Sequence, residues 1–355
     1  MLRSLVGSEM CIRDSDRTWG ELAGDVATGI GGMGLRMGTG LANLADLATF
    51  GGVSQLTKAA GGALDSALGG PGEGYTMQEG AARVDDAVSS LESSPLQAHR
   101  AALQEKIAGA GQQGGVSGAL ATAWEAAKGT ATNPALLGQM AAEQIPILAT
   151  MGLGTVGTAA KASNAARAAN LAPNLVEQAA RQAAIRSNIA FSGALGAGFS
   201  SQQAAKSVLD AAPEQMAESP EYRAMIQAGK SDREARQDLA LKAGYPAAAI
   251  AGPASALAAT LTAPLETALL RGTAPTGIRT VAGAAGRETL EEIPQESSEQ
   301  IGANVGARQA GLQRGLLDGV PEAAGMAGMA GFLMGGALGG VGHLRTGAGL
   351  SLIHI

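Results

Sequence analysis

The sequence contains few of the residues that build most catalytic and metal sites. Its 355 residues include one Cys, three His, two Trp, three Tyr and four Phe. A disulfide framework or a zinc site with Cys ligands needs more cysteines than this chain has. Large aliphatic and aromatic side chains supply most of the free energy of burial. A chain with so few aromatics is therefore not expected to form the core of a conventional α/β enzyme.

Charged residues are also scarce. Asp, Glu, Lys and Arg make 16% of the chain, the net charge is −6, and the mean hydropathy is +0.10. Charge-rich intrinsically disordered proteins combine low hydropathy with high net charge, so this class of protein is excluded. The sequence has no basic patch, and sequence-specific nucleic-acid binding is therefore not predicted. No cofactor or metal ion is predicted either.

What is abundant is Ala, with 75 residues, and Gly, with 53, together more than a third of the chain. No run of alternating β-branched residues predicts a strand. Helix-start signals recur instead: Ser94-Pro95 and Ser219-Pro220 place a capping residue before Pro at the first helical position, and Ser231–Glu234 forms a capping box. We predict an all-α fold, an irregular bundle of Ala- and Gly-rich helices and helical hairpins with glycine-zipper packing and no β-sheet.

The helix bounds follow from capping residues, glycines and prolines. The polar helix that begins at Asn174 is expected to continue to Ala205. The apolar stretch from Tyr245 to Leu270 is expected to be broken at its prolines, because Pro removes a backbone donor. The predicted helices are 18–50, 94–108, 135–149, 174–205, 220–229, 231–243 and 287–311, and the breaking prolines are Pro246, Pro253 and Pro264.

The chain divides into segments of different composition. We predict a Gly-rich helical hairpin, a polar loop with an amphipathic helix, an Ala-rich bundle with apolar segments, a polar acidic helix and a glycine-zipper apolar helix. In that order their bounds are 16–70, 71–118, 119–275, 276–319 and 320–349, between the end segments 1–15 and 350–355.

Four stretches without Asp, Glu, Lys or Arg are candidates for membrane contact: 144–160, 187–205, 243–265 and 323–344. About 20 apolar residues span a bilayer core, so the last two are long enough, although Ala and Gly make them weakly hydrophobic. In the last stretch Gly331, Gly335 and Gly339 share one helix face, where they allow a second helix to approach closely. Gly34 and Gly38 have the same spacing. A tight helical hairpin in water is the alternative.

Three aromatic residues, Trp19, Trp124 and Tyr245, flank apolar stretches. They are candidates for interfacial anchors, since amphipathic rings lie at the level of lipid headgroups. Single core anchors in an aromatic-poor fold are the alternative.

The candidate for catalysis is Glu296. Residues 295–297 and 311–313 resemble the Glu-Ser and Gly-Leu-Met-Gln elements of lytic transglycosylases, in which the Glu is the general acid/base, but the Met is absent. The intervening residues indicate one helix, which would not form that family's cleft. Glu288, Glu292, Glu296 and Glu299 recur at helical spacing and share a face, which favours a solvated acidic helix. We therefore predict no catalytic residue in this chain.

Both ends of the chain resemble translated sequencing adapter. Residues 10–15 (MCIRDS) and 350–355 (LSLIHI) can be encoded by opposite strands of one DNA segment, which is similar to the mosaic end of a transposase-based adapter. Such segments are excluded from fold reasoning. We expect Cys11 to belong to the adapter and the natural protein to continue past both ends.

Three stretches resemble the central region of the large internal virion proteins, or ejection proteins, of tailed bacteriophages. They are 16–21 with the Gly-rich helix that follows, 142–146, and 288–302 with the glycine-rich tail 323–342. The resemblance implies a non-catalytic, membrane-interacting segment that is stored in the virion interior and then helps form a conduit for DNA through the host inner membrane. It implies other internal virion or portal proteins, the lipid bilayer and further copies of the chain as partners. The alternatives are a peptidoglycan-cleaving virion protein and a cellular helical membrane or pore-forming protein.

Overall fold

A computed structural model describes residue 90, residues 92–111, several positions between 118 and 128, residues 154–270 and residues 278–331. Within these ranges every regular element is a helix and none is a strand, which confirms the predicted all-α class. The predicted helices 18–50 and 135–149 lie outside the described residues, as do Trp19, Gly34, Gly38, Gly335 and Gly339.

The described helices between residues 154 and 270 are joined by connections of four residues or fewer. They are α1 (Ser94–Gly111), α2 (154–168), α3 (Pro173–Leu209), α4 (Pro213–Glu218), α5 (Pro220–Gln227), α6 (Asp232–Leu270), α7 (Ile278–Gln309) and α8 (320–331). The three long helices, α3, α6 and α7, pack against one another and form the main bundle.

The predicted helix starts at Ser219 and Ser231 are confirmed. The Ser219 side chain accepts a hydrogen bond from the Tyr222 backbone N–H at 3.3 Å, as an N-cap of α5 does. At the start of α6, the Ser231 Oγ accepts from the Glu234 N–H at 3.3 Å and the Glu234 carboxylate accepts from the Ser231 N–H at 3.0 Å. This is the reciprocal pattern of a capping box. Both starts are local features, and the sequence alone is sufficient to place them.

The predicted break after residue 243 is wrong. α6 continues through Pro246, Pro253 and Pro264 to Leu270. A proline inside a helix removes one hydrogen bond and crowds the preceding turn. On both sides of Pro246, however, Ala243 and Ala247 are fully buried against the neighbouring long helices. Tertiary packing along this stretch outweighs the local cost of the proline.

Three other helix ends differ from the predicted bounds by three or more residues. α3 continues to Leu209, four residues past its predicted end. α1 continues through Gly109 to Gly111, and α7 begins at Ile278, well before the predicted start at Arg287. α1 and α7 both extend through glycines that the sequence pattern treats as stops. Adding residues to an existing helix costs little, since the expensive step is its nucleation.

The main core is built largely from Ala. Val208, Met216 and Leu239 are its fully buried large side chains, and most other members of the cluster are alanines of α3, α6 and α7. Protein interiors are close-packed, so small side chains can fill a core only where the backbones themselves come close together. The composition therefore forces short distances between the helix axes.

Glycines provide these close approaches. A Cβ atom added to Gly302 of α7 would lie 2.7 Å from the carbonyl oxygen of Ala247 in α6. A Cβ on Gly193 of α3 would lie 3.1 Å from the carbonyl oxygen of Gly252 in α6. Close helix packing at glycines thus occurs within the long-helix bundle, at positions other than the five glycines predicted from the sequence.

A smaller cluster connects α8 to α1 and α7. Met329 of α8 packs with Leu96 and Leu103 of α1. On the α7 side, Thr289 donates a hydrogen bond to the carbonyl oxygen of Gly328 at 3.2 Å. The last predicted apolar helix begins at residue 320, which is also the first residue of α8. The beginning of that predicted helix therefore packs against α1 and α7.

We expect Gly302→Ala to destabilise the chain by about 1–3 kcal/mol, the usual range for overpacking a tight core. The added methyl group would meet the Ala247 backbone, which can move only together with α6. Urea unfolding monitored by circular dichroism measures the change.

The matched control is Gly157→Ala in α2, where an added Cβ meets nothing within 4 Å. This control is expected to raise the free energy of unfolding by up to about 1 kcal/mol, since Ala is the better helix former. Equal effects of the two substitutions would contradict the close-packing explanation.

Candidate functional site

A layer of polar side chains crosses the centre of the long-helix bundle, and Glu299 of α7 is its central member. Glu299 is only 5% exposed. Its Oε1 accepts a hydrogen bond from Gln295 Nε2 at 3.1 Å and a long one from Ser255 Oγ of α6 at 3.5 Å. Ser200 of α3 donates to the backbone carbonyl of Glu299 at 2.8 Å. All three long helices therefore meet at this residue.

Gly196 of α3 makes the room that this layer needs. A Cβ atom at Gly196 would overlap the Ser255 hydroxyl and lie 3.0 Å from Glu299 Oε1. The carboxyl group and the serine hydroxyl thus occupy the space that a side chain on α3 would take. The site depends on glycine at this position.

Two carboxyl groups of α7, those of Glu296 and Glu299, have raised pKa values. Burial raises the pKa of Glu299 well above its usual value, the negative charge of Glu296 raises it further, and the hydrogen bond from Gln295 acts in the opposite direction. Burial also raises the pKa of Glu296. Both effects arise because water is removed from a group that prefers it when ionised.

The prediction of a solvated acidic helix is wrong for Glu299. This residue faces the core between α3 and α6, and Glu291 of the same helix is also 5% exposed. Sequence reasoning placed the acidic side chains on a common face but assigned that face to solvent. Because α7 packs on two helices at once, part of its polar face is enclosed.

Glu296 lies in the middle of α7, which is one continuous helix, and it is half-buried. The other part of the transglycosylase-like pattern, residues 311–313, lies beyond the end of α7. There it lines an open depression of about 540 Å³ together with Arg308, Arg314 and Gly315. At 1.5 Å per residue, Arg308 is roughly 18 Å along the helix from Glu296. The structure does not bring the two parts of the pattern together.

A second polar cluster holds the loop between α7 and α8. Asn304, fully buried, donates from Nδ2 to the carbonyl oxygens of Leu316 at 3.1 Å and Asp318 at 2.7 Å. Its Oδ1 accepts from Gln300 Nε2 at 3.1 Å. Sequence reasoning missed Asn304, since its partners are backbone carbonyls of a turn that the sequence does not place.

The loop holds an apolar side chain in solvent. Leu317 is 68% exposed, although the backbone on both sides of it is fixed by Asn304. Gly311 and Gly319 bound the loop with φ angles of 88° and 74°, which favour glycine. The loop is therefore a defined structure.

The other predicted site residues lie at separate places. Trp124 is 68% exposed, so the alternative of a core anchor is excluded for it, while its role as an interfacial anchor stays a prediction. Tyr245 is half-buried in α6, and Gly331 is buried at the last described position of α8. The structure does not bring these three residues into one site.

Among the described residues, no group of three or more His, Cys, Asp or Glu side chains is placed to hold a metal ion. In the same ranges, every helix is too short or too weakly apolar to cross a membrane. Comparison with protein-family models, with curated proteins and with solved structures gives no match.

We expect Asn304→Ala to cost about 1–3 kcal/mol, the range for leaving buried polar groups without their hydrogen bonds. The loop 312–319 should then open, and limited proteolysis within it should become several-fold faster. The rate of cleavage, followed by mass spectrometry, measures the effect.

Gln203→Ala is the control. Its side chain makes an exposed hydrogen bond to Gln300 at 2.7 Å and reaches the loop only through Gln300, which donates to the carbonyl oxygen of Asp318 at 3.1 Å. If both variants were cleaved at the wild-type rate, Asn304 would not be what holds the loop.

Proposed function

We propose that the chain is a non-catalytic, membrane-interacting segment of a phage internal virion protein. In this proposal it is stored in the virion interior and later helps form a conduit for DNA through the host envelope. The observation that carries the proposal is the pairing of two charge-free helical stretches, 187–205 in α3 and 243–260 in α6. They meet at backbone distance through Gly193 and Gly252.

The weak hydrophobicity of these helices suits a chain that is first stored in the virion and later enters a membrane. A strongly apolar helix would aggregate in the virion, whereas an Ala- and Gly-rich helix can be kept in water by packing its small-residue face on a neighbour. In lipid, helices associate mainly by close packing at small residues, without a hydrophobic driving force between them. The same glycine faces therefore support packing inside the chain and assembly of several copies in a bilayer.

The outer face of α6 is the surface we assign to lipid. Leu257 is 71% exposed and Pro253 is also exposed, within a stretch that carries no charge. Tyr245 lies near the beginning of this stretch and Trp124 is exposed elsewhere, so both can serve as interfacial anchors. The partners in this proposal are the bilayer, other internal virion or portal proteins and further copies of the chain. Its locations are the virion interior and then the host inner membrane.

We expect the full chain to float with liposomes in a density gradient and to gain helix in the circular dichroism spectrum when lipid is added. Leu257→Glu should reduce the floating fraction several-fold, because it places a charge on the face assigned to lipid. Leu175→Glu, at an exposed leucine in the polar first turns of α3, is the matched control and should float as the wild type does. A chain that stays at the bottom of the gradient at every pH and lipid composition would refute the membrane half of the proposal.

The proposal assigns no catalysis to Glu296. We expect the purified chain to release no soluble glycan from peptidoglycan sacculi, since Glu296 lies within a continuous helix and the other part of the transglycosylase-like pattern lies beyond the end of that helix. Glycan release that Glu296→Gln abolishes would overturn the non-catalytic assignment, and chromatography of the digested sacculi is the measurement.

A further inference from the structure

In the part of the chain that the structure describes, the segments that enclose Glu299 provide no positive charge. α3 contains no charged residue between 187 and 205, and α6 contains none between 243 and 260. α8, which packs on an earlier part of α7, contributes only the acidic Glu322. On α7 itself the nearby ionisable groups are Glu292 and Glu296, both acidic. The described residues packed around Glu299 thus supply only hydrogen bonds to its carboxyl group.

The carboxyl group is also held in place. Ser255 of α6 is fully buried beside it, and Gly196 of α3 leaves no further space, since an added Cβ there would already overlap Ser255. Ser200 fixes the backbone of Glu299 itself. Only 5% of Glu299 is exposed, so its carboxyl group gains full contact with water only if α7 moves away from α3 and α6.

An ionised carboxylate in this position is costly. Removing a charge from water without a compensating opposite charge is strongly unfavourable, and such a group either binds a proton or forces the structure to open. Two hydrogen-bond donors, one of them at 3.5 Å, compensate only part of this cost.

We propose that Glu299 is a pH-sensitive latch of the long-helix bundle. With a proton on its carboxyl group, α7 stays packed on α3 and α6. When the proton leaves to solvent, the ionised group loosens α7 and uncovers the charge-free stretches of α3 and α6. The latch goes beyond the membrane role proposed above, because it acts within the chain and holds whether or not lipid is the partner.

The direction of the pH dependence follows from proton binding. The raised pKa of Glu299 means that the folded chain binds more protons than the unfolded chain in the pH range above the usual Glu value. Stability is therefore greatest on the acidic side and falls as the pH rises through this range. For one proton the unfolding constant rises by up to about tenfold per pH unit.

The other described groups with a shifted pKa titrate outside this range. The hydrogen bond from Tyr222 lowers the pKa of Asp232, so the stability that Asp232 contributes is lost only at more acidic pH. Hydrogen bonds to carboxylates raise the pKa values of Tyr222 and Lys230, and these groups lose their protons only at strongly alkaline pH. Among the described groups with a shifted pKa, Glu296 and Glu299 are thus the ones whose pKa is displaced toward the range from about pH 5 to 8.5, and the Glu299→Gln variant isolates the part that Glu299 contributes.

The test is urea unfolding of the full chain at steps of pH from 5 to 8.5. The wild type is expected to lose stability as the pH rises. Glu299→Gln keeps the shape of the side chain but cannot ionise, so the pH dependence of its stability should be flatter by about one proton. At pH 8 its unfolding constant should be at least about tenfold lower than that of the wild type. The control Glu177→Gln, at an exposed glutamate of α3, should follow the wild type. A flat wild-type profile, or a Glu299→Gln profile as steep as the wild type, would overturn the latch.

Two further measurements keep the test decisive if Glu299→Gln folds poorly. Glu296→Gln removes a neighbouring negative charge, so the steep part of the profile should move to lower pH. Amide hydrogen exchange of the wild type, corrected for the intrinsic effect of pH, should show α7 opening faster at pH 8 than at pH 5. An unmoved profile together with equal opening at both pH values would refute the proposal.

Discussion

The packing of the long-helix bundle depends on a few glycines, because a residue without a Cβ atom allows two helix backbones to come into contact. Gly302 in α7 and Gly193 in α3 let their backbones lie against the carbonyl oxygens of α6. With alanine as the principal core residue, the free energy of burial per side chain is small. Close contact over the whole length of the long helices compensates for this, since many weak dispersion contacts add up. The tight bundle and its polar centre both follow from the close approach of the helix backbones at these glycines.

Because the core contains few large side chains, each buried polar group has a larger part in fixing the positions of the helices. Asn304 ties the loop after α7 to the bundle through two backbone carbonyls, and Glu299 brings a carboxyl group to the point where three helices meet. Few large side chains nearby can absorb a shift of these groups. A shift of α7 along α3 and α6 would separate Glu299 from Ser200 and Ser255, so these polar contacts favour the observed register of otherwise similar Ala-rich helices.

The same features connect the fold to the proposed function. α3 and α6 carry their charge-free stretches side by side, and α7 covers them with a face that includes an acidic group. The arrangement shields weakly apolar surfaces while the chain is packed. Leu257 and Leu317 show that some apolar surface nevertheless faces solvent, on a helix in one case and on a fixed loop in the other.

The sequence by itself determined the helical class and the helix starts at Ser219 and Ser231, because capping depends on residues within one turn. Only the tertiary structure decided that α6 continues through Pro246 and that Glu299 faces the core. The continuity of α6 rests on packing against other helices, and the environment of Glu299 rests on Ser200 and Ser255, which are 99 and 44 residues away in the chain. A helical repeat shows which residues share a face, but the partner helix that covers this face is fixed by distant contacts that no local pattern contains.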